Sequence, residues 1–200
     1  MNLEKRVIKE ATLWPWIVAS LVLALTLGGG AYLYFSRDGR VEKEGTAPVL
    51  GVATSWNGPK VPITLFFPSK EDGYLRREMR EARQVQDKSE QLKLVVEELI
   101  KGPKTPNLVP SFPAGARVKG VYMDDKGVAY VNFSRELVSE HPGGAWTETQ
   151  TIYSLTNTLA EDFPNVKAVR IMVEGAATPT IAGHIDTSRP FVPRQAMNRG

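Results

Sequence analysis

The chain has 200 residues, of which 42% are hydrophobic and 24% are charged, and its formal net charge is +3. This composition argues against a disordered chain, and the small charge argues against a nucleic-acid partner. The sequence contains no cysteine, which excludes disulfides, thiolate metal sites, a cysteine nucleophile and a lipidated cysteine. The first third has no globular pattern, so one folded unit of roughly 130 to 140 residues remains, a usual size for a single domain.

The N-terminal region carries the pattern of a membrane anchor. Residues 1–12 form a polar lead of mixed charge, which we expect to stay in the cytoplasm. Residues 13–35 (LWPWIVASLVLALTLGGGAYLYF) contain no charged side chain, and a helix of this length would span roughly 34 Å, enough to cross a bilayer. Aromatic residues stand at both ends, where interfacial belts form: Trp14, Trp16, Tyr32 and Tyr34. We therefore expect a single transmembrane helix with the folded domain outside the cytoplasm.

A cleaved signal peptide is the alternative for this stretch. Its apolar region would run from Leu13 to Leu27, and Gly29-Gly30-Ala31 would supply the small residues of a cleavage site. The apolar run continues through residues 32–35, which favours an uncleaved anchor. Basic residues are balanced on the two sides of the span, so the expected orientation depends on the short lead before it and the folded domain after it.

Residues 36–61 are rich in glycine and proline and show no sustained period, so we interpret them as a flexible linker. The end-to-end distance of such a linker is roughly 30 Å, which would keep the domain close to the membrane. The domain itself is predicted to cover residues 62–193. Residues 194–200 are predicted to form a frayed tail.

The first half of the domain is predicted to contain two strands and a helix. Residues 63–67 (ITLFF) are apolar on both faces, which is typical of a central strand. Residues 74–85 are highly charged, which would also suit a helix, but Leu75, Met79 and Val85 do not form an apolar stripe, so we interpret them as an edge strand. Residues 89–101 are predicted to form a helix that is capped by Ser89 and stopped by Gly102-Pro103. One face of this helix is apolar: Leu92, Val95, Val96, Leu99 and Ile100.

The second half is predicted to begin with a long proline-containing connection at residues 104–116. Residues 117–123 and 128–133 flank Asp124-Asp125-Lys126-Gly127, a pattern that predicts a β-hairpin, and residues 134–137 start a short helical turn.

The central unit is predicted to be a helix over 147–163 followed by a strand over 168–173, because an apolar period of 3.6 gives way to alternation. The predicted fold is α+β, with one small mixed or antiparallel sheet and two main helices packed on one face.

No catalytic, cofactor or metal site is predicted. His141 and His184 are the only histidines, and neither has a second strong ligand at a metal-binding spacing. Asp124 and Asp125 precede Lys-Gly, a pattern far more typical of a solvated hairpin turn than of a calcium or acid–base site. In a strand, His184 and Asp186 would face the same side, which favours a structural hydrogen bond between them. A KH-type nucleic-acid-binding domain is disfavoured because the chain has no G-x-x-G loop.

Five segments, in order, resemble the GerMN domain of bacterial sporulation and germination proteins, across residues 62–193: ITLFFPSKEDGYL, VVEELIKGP, FPAGARVKGVYMDDKGVAYVNFS, IYSLTNTLAEDFPNVKAVRIMVEG and GHIDTSRPF. The resemblance implies a small α+β domain outside the cytoplasmic membrane, similar to the ring-building domains of sporulation channel proteins, and a role in envelope assembly. The chain departs from the germination protein because it has one copy of the domain instead of two. It also has an apparent membrane helix and no lipoprotein cysteine.

The function expected from these patterns is that of a non-enzymatic envelope protein, whose outer domain binds another protein or further copies of itself. Sheet edges or the Lys104–Pro113 loop would form the contact surface. A peptidoglycan-binding module is the alternative, with Trp146 and Tyr153 as candidate stacking residues. An enzyme is the third possibility, and it would need a cleft containing His184 and a carboxylate of perturbed acidity.

Overall fold

A computed structural model of the chain describes residues 58–199. The predicted lead (1–12), the predicted transmembrane helix (13–35) and most of the predicted linker (36–61) lie outside the described residues, as does Gly200. Within residues 58–199, no helix is both long enough and apolar enough to span a bilayer.

Residues 58–199 form an α+β domain with two separate sheets. The first sheet pairs two strands: β1 (Lys60–Pro68) and β2 (Leu75–Arg83). The second sheet has four strands in the order of the chain: β3 (Val118–Met123), β4 (Val128–Phe133), β5 (Ala168–Val173) and β6 (Ala176–Ala177). The helices are α1 (Lys88–Ile100), α2 (Glu136–Ser139) and α3 (Ala145–Asp162), and a 3₁₀ turn follows at Gln195–Met197.

The prediction of one sheet is wrong, because strand β1 pairs with a helix where a second strand was expected. One edge of β1 forms an antiparallel ladder with β2. On the other edge, the N–H of Thr64 donates to Asp162 Oδ2 at 2.7 Å and the N–H of Phe66 donates to Thr158 Oγ1 at 3.0 Å. Both acceptors lie on α3. The strand is apolar on both faces as predicted, but this pattern does not distinguish a strand neighbour from a helix neighbour.

The second sheet is mixed, with one buried and one exposed face. Strands β3 and β4 are antiparallel, β4 and β5 are parallel and joined through α3, and β5 and β6 are antiparallel. The register places Val131 beside both Val121 and Ile171, and all three side chains are buried in the core. The alternate side chains of these strands, including Tyr122 and Tyr130, face away from the core.

Helix α1 follows the prediction with both ends shifted by one residue, and its N-terminal cap differs. The predicted cap Ser89 is wrong: Asp87 caps the helix, because its Oδ1 accepts a hydrogen bond from the N–H of Glu90 at 2.9 Å. The helix ends at Ile100, and Gly102 has a φ of +80°, a left-handed conformation that favours glycine and stops the helix as predicted. Four residues of the predicted apolar face are fully buried: Leu92, Val95, Val96 and Leu99.

The predicted hairpin and the predicted central helix–strand unit are confirmed. The turn between β3 and β4 requires Gly127, which has a φ of +83°, and a Cβ there would lie 2.4 Å from the Asn165 backbone oxygen. Helix α3 starts two residues before the predicted position, and its Ile152, Leu155 and Leu159 side chains are fully buried.

The prediction of a frayed C-terminal tail is wrong. Met197 is 5% exposed and packs with Phe66 and Leu75. The side-chain amide of Asn157 donates to the carbonyl oxygen of Arg194 at 3.1 Å and to the side chain of Asn198 at 2.7 Å. These contacts hold the last described residues against α3 and the start of β2. The sequence did not predict them, because the 3₁₀ turn in this segment is too short to give a repeating pattern.

The bond between α3 and β1 makes a testable contribution to stability. We expect Thr158→Val to lower the free energy of unfolding by about 1–3 kcal/mol, because it leaves the buried N–H of Phe66 without an acceptor. Urea unfolding of the full-length chain measures the change. Thr156→Val is the matched control, since Thr156 is equally buried and its hydroxyl donates only to the Ile152 carbonyl oxygen within the same helix. Equal losses for the two variants would contradict the role of Thr158.

Candidate functional site

A buried carboxylate, Glu148, holds the closing segment of the chain. Glu148 lies in the first turn of α3 and its side chain is fully buried. It accepts hydrogen bonds from the backbone N–H groups of His184 at 3.0 Å and Ile185 at 3.2 Å, and its Oε1 lies 2.7 Å from His184 Nδ1. The predicted His184–Asp186 pair is therefore wrong. Asp186 instead accepts the N–H of Ser188, and residues 183–188 do not form a strand.

The hydrogen bonds to Glu148 decide its charge. Burial alone would raise the pKa of Glu148, but bonds from the His184 ring and from the N–H groups of Ala182, Ile185 and His184 outweigh it, so the pKa lies below its ordinary value. Glu148 is therefore an anion at neutral pH. Its oxygens are occupied by donors that tie residues 182–185 to α3.

His141 is also satisfied by structural bonds. Its Nδ1 accepts the N–H of Gly143 at 3.1 Å, and its Nε2 lies 3.0 Å from Thr151 Oγ1. Thr151 already donates its hydroxyl to the Ser111 carbonyl oxygen, so the proton between His141 and Thr151 belongs to the histidine. Burial lowers the pKa of His141, and the charge of Glu148 opposes this only in part, which favours the neutral ring.

The histidine, carboxylate and aromatic residues that the sequence analysis weighed as candidates do not converge on one site. Among residues 58–199, no three histidine, aspartate or glutamate side chains are placed to hold a metal ion. Asp124 closes the hairpin turn by accepting the N–H groups of Lys126 and Val128, as expected for a turn residue. Trp146 is 47% exposed, whereas Tyr153 is half-buried between Phe191 and Arg194, so these two aromatic side chains do not form one platform.

A second buried carboxylate, Glu78, positions the loop after α1. Glu78 lies on β2, is 6% exposed, and accepts the N–H groups of Lys104 at 2.9 Å and Thr105 at 2.7 Å. Arg80 lies beside it, donating from Nε to Glu78 at 2.7 Å and from its terminal nitrogens to the Glu98 and Gly102 carbonyl oxygens. Burial by itself would raise the pKa of Glu78, but the bonds from Thr105, Arg80 and Lys104 lower it overall.

The loop held by Glu78 forms one wall of a cleft beside β2. The cleft has a volume of about 630 Å³, and its lining is mainly polar. Its two walls are residues 78–81 of β2 and residues 104–106 of the loop, with Lys60 at one side. Part of the predicted contact loop, Lys104–Pro113, therefore lies next to a sheet edge.

The outer edge of β2 carries backbone groups that are unpaired within residues 58–199, and Met79 and Glu81 of this edge line the cleft. The N–H groups of Thr64 and Phe66 bond to α3, and Pro62 has no N–H, so the even-numbered residues of β1 do not bond to β2. In the antiparallel register their partners Arg77, Met79 and Glu81 point their N–H and C=O groups to the outer edge. Within residues 58–199, no hydrogen bond to those outward groups is found, whereas the next outward residue, Leu75, accepts the N–H of Arg199.

The exposed face of the second sheet is another open surface within residues 58–199. A shallow, mainly apolar groove of about 420 Å³ crosses it between Tyr122, Tyr130 and Met172. Tyr122 is 63% exposed, and its ring centre lies 6.1 Å from that of Tyr130.

Residues 64–178, more than half of the chain, match the profile of the Germane family, which is described as sporulation and spore germination. The chain belongs to the Germane family. This confirms the resemblance to GerMN domains on which the sequence prediction depended. None of the curated proteins compared with this Germane chain matches it significantly.

Two solved structures are similar in fold to the Germane domain of this chain. The chain is similar to the first GerMN domain of the sporulation protein GerM from Bacillus subtilis, with 19% identity, a TM-score of 0.55, and coverage of 68% of this chain and 98% of that one. It is also similar to the tandem GerMN domains of that protein, with 18% identity and a TM-score of 0.53, covering 69% of this chain and 48% of that one. The chain thus spans about half of the tandem protein, and the likeness shows the fold.

The sequence prediction missed both buried carboxylates. Glu148 lies in the first turn of a helix, where acidic residues are common at the surface, and Glu78 lies in a strand that was predicted to be a charged edge. One usable signal is the position of Glu78 and Arg80, which occupy the same face of β2 as the buried Ala82. Charged side chains on the buried face of a strand require partners from another segment.

The hydrogen bonds that Glu148 accepts from residues 182–185 predict a pH dependence of stability. Because folding lowers the pKa of Glu148, its contribution is fully present above the unfolded value of about 4.5 and is lost as the pH falls below it. We expect Glu148→Gln to lower the free energy of unfolding at pH 7 by about 1.5–3 kcal/mol and to make the loss between about pH 5 and pH 3 less steep. Urea unfolding across this pH range measures both effects. Glu71→Gln, at an exposed position, is the control and should change neither quantity. If the stability of Glu148→Gln fell as steeply at acid pH as that of wild type, Glu148 would not hold residues 182–185 by its charge.

Proposed function

We propose that this chain is a membrane-anchored protein whose GerMN-like domain lies outside the cytoplasm and mediates protein–protein assembly in the bacterial envelope, in a sporulation- or germination-related role. The observation that carries the proposal is the outer edge of β2, where the outward backbone groups of Arg77, Met79 and Glu81 have no hydrogen bond within residues 58–199 and where Met79 and Glu81 line a cleft. A free strand edge beside a cleft is suited to the addition of a strand from another chain, in which main-chain hydrogen bonds supply affinity.

Two further observations support this function. The apolar run at residues 13–35 has the length and the aromatic ends of a transmembrane helix, which would hold the domain at the membrane surface. The buried carboxylates Glu78 and Glu148 and the partly buried His141 have their polar atoms occupied by structural hydrogen bonds. Such groups position loops, which supports a binding role without enzymatic activity.

Blocking the β2 edge with proline tests the proposal. The N–H of Met79 does not take part in the ladder with β1, so Met79→Pro removes an outward donor and leaves the bonds of the β1–β2 ladder in place. We treat protoplasts that produce the full-length chain with a membrane-impermeant amine crosslinker. Wild type and the matched control Met79→Ala should give adducts of higher mass, and Met79→Pro should lose them while its thermal unfolding changes little.

Two results would contradict this proposal. Adducts that persist in Met79→Pro would exclude β2 as the contact edge. Adducts that form in wild type only after the protoplasts are lysed would contradict the location outside the cytoplasm.

Peptidoglycan binding remains the second candidate, because Trp146 is half-exposed beside another aromatic residue. The ring centres of Trp146 and Tyr74 lie 6.0 Å apart in an edge-on arrangement, and the Arg199 guanidinium lies 3.7 Å from the Tyr74 ring centre. Exposed aromatic faces of this kind can stack on sugar rings. Tyr153, the other predicted stacking residue, packs against the core and does not join this cluster.

Sedimentation with purified peptidoglycan separates the two candidates. If glycan binding is the function, the full-length chain sediments with peptidoglycan and Trp146→Ala reduces the bound fraction about tenfold, which is the loss expected for about 1–2 kcal/mol of stacking. If protein assembly is the function, the chain stays in the supernatant and Trp146→Ala leaves the crosslinked adducts unchanged.

A further inference from the structure

We propose that the occupant of the β2 edge is a second copy of this chain, paired antiparallel about a two-fold axis at Met79; this rests on the proposed role of β2 as the contact edge. Three successive exposed residues of the strand are Arg77, Met79 and Glu81, with the apolar side chain between opposite charges; Arg83, at the end of the strand, is also exposed. Met79 is 75% exposed, an unusual position for a large apolar side chain.

The free length of the edge restricts the register. At one end, the Leu75 carbonyl oxygen accepts the N–H of Arg199, and at the other end the Arg83 carbonyl oxygen accepts the side-chain amide of Gln91. Within residues 58–199, this leaves Arg77, Met79 and Glu81 as the outward residues that can pair. An antiparallel arrangement centred on Met79 uses all of them, and each opposed pair exchanges two hydrogen bonds, about six in all. A shift to the neighbouring register leaves one of these residues outside the ladder.

The side chains select the same arrangement. With Met79 opposite Met79 of the second copy, Arg77 of each copy lies opposite Glu81 of the other, so both flanking pairs join opposite charges. A parallel arrangement in register would place Arg77 beside Arg77 and Glu81 beside Glu81, which is unfavourable. The interface is self-complementary, as a two-fold axis requires. Charges on an edge strand usually prevent pairing, but this order of charges favours the antiparallel arrangement centred on Met79.

The ion pairs that Arg77 and Glu81 already form do not oppose the proposed pairing between two copies. Arg77 contacts Glu161 at 2.8 Å and Glu81 contacts Lys60 at 3.7 Å, but the Arg77 and Glu81 side chains are 60% and 71% exposed. Exposed ion pairs contribute little to stability and rearrange readily. The cleft of about 630 Å³ between the edge and residues 104–106 leaves room for an added strand.

A contact of this size is weak between freely diffusing chains. Anchoring both copies in one membrane raises their effective concentration, so a weak edge contact can still be occupied. The inference therefore has to be tested with the full-length chain in membranes.

Disulfide formation tests the position of the axis, because the chain has no cysteine of its own. Directly opposed, hydrogen-bonded residues have Cα atoms about 5.5 Å apart, which is within the range of a disulfide. We expect Met79→Cys to form a disulfide-linked dimer on mild oxidation at least about tenfold faster than two controls. Tyr122→Cys is equally accessible on the other sheet. Arg83→Cys lies on the same strand, but its counterpart would be about 27 Å away along the ladder.

A charge exchange in the Met79→Cys background tests the register. Arg77→Glu or Glu81→Arg alone should slow dimer formation about tenfold, because each places like charges at both symmetric pairs. The double variant Arg77→Glu/Glu81→Arg restores opposite charges across the axis and should recover the original rate. Contacts within one copy would not produce this recovery. In the double variant, Glu161 lies beside the glutamate at position 77 and Lys60 lies beside the arginine at position 81, so both contacts within the copy remain repulsive.

The outcomes distinguish this inference from the proposed function. If Met79→Cys reacts no faster than the controls, or if the double variant does not recover, the second copy is not the occupant. If Met79→Pro nevertheless abolishes the envelope adducts, the β2 edge binds a different protein and the proposed function stands.

Discussion

The structure depends on the way helix α3 closes one edge of strand β1. Thr158 and Asp162 accept backbone N–H groups that would otherwise be buried without a partner. The helix thereby takes the place of a strand and separates the β1–β2 hairpin from the four-stranded sheet. Since α3 also connects the parallel strands β4 and β5, one helix joins the two sheets. A further consequence is that, among the residues that the structure describes, the open edge of the hairpin lies on β2.

The two buried carboxylates show a common way of ordering irregular segments. Glu148 and Glu78 each lie on a regular element and accept backbone N–H groups from a loop distant in sequence. A loop without its own ladder has unpaired donors, and an anion that accepts several of them recovers the cost of its own burial. In this domain the device positions residues 104–106 beside β2. The open edge is consequently a cleft wall with a defined shape.

Membership in the Germane family establishes the fold and the biological setting of the family, but a fold does not specify a partner. The argument for assembly therefore comes from this chain's own residues. The free backbone groups of β2 identify where another strand could add, and the order Arg77, Met79, Glu81 specifies which arrangement is favourable. The open face around Tyr122 is a separate surface, and its apolar groove is not needed for the edge contact.

Periodicity and turn chemistry were enough to predict α1, the β3–β4 hairpin and the α3–β5 unit, because these patterns are local and each was repeated over several residues. They did not predict that the sheet would divide in two, that Met197 would be buried, or that Glu148 and Glu78 would hold loops. Each of those features joins segments that are far apart in the chain. An apolar strand has the same sequence pattern beside a helix as beside another strand. A glutamate likewise has the same local pattern whether its side chain meets water or a loop. Only the packing of distant segments distinguishes the two cases in each pair.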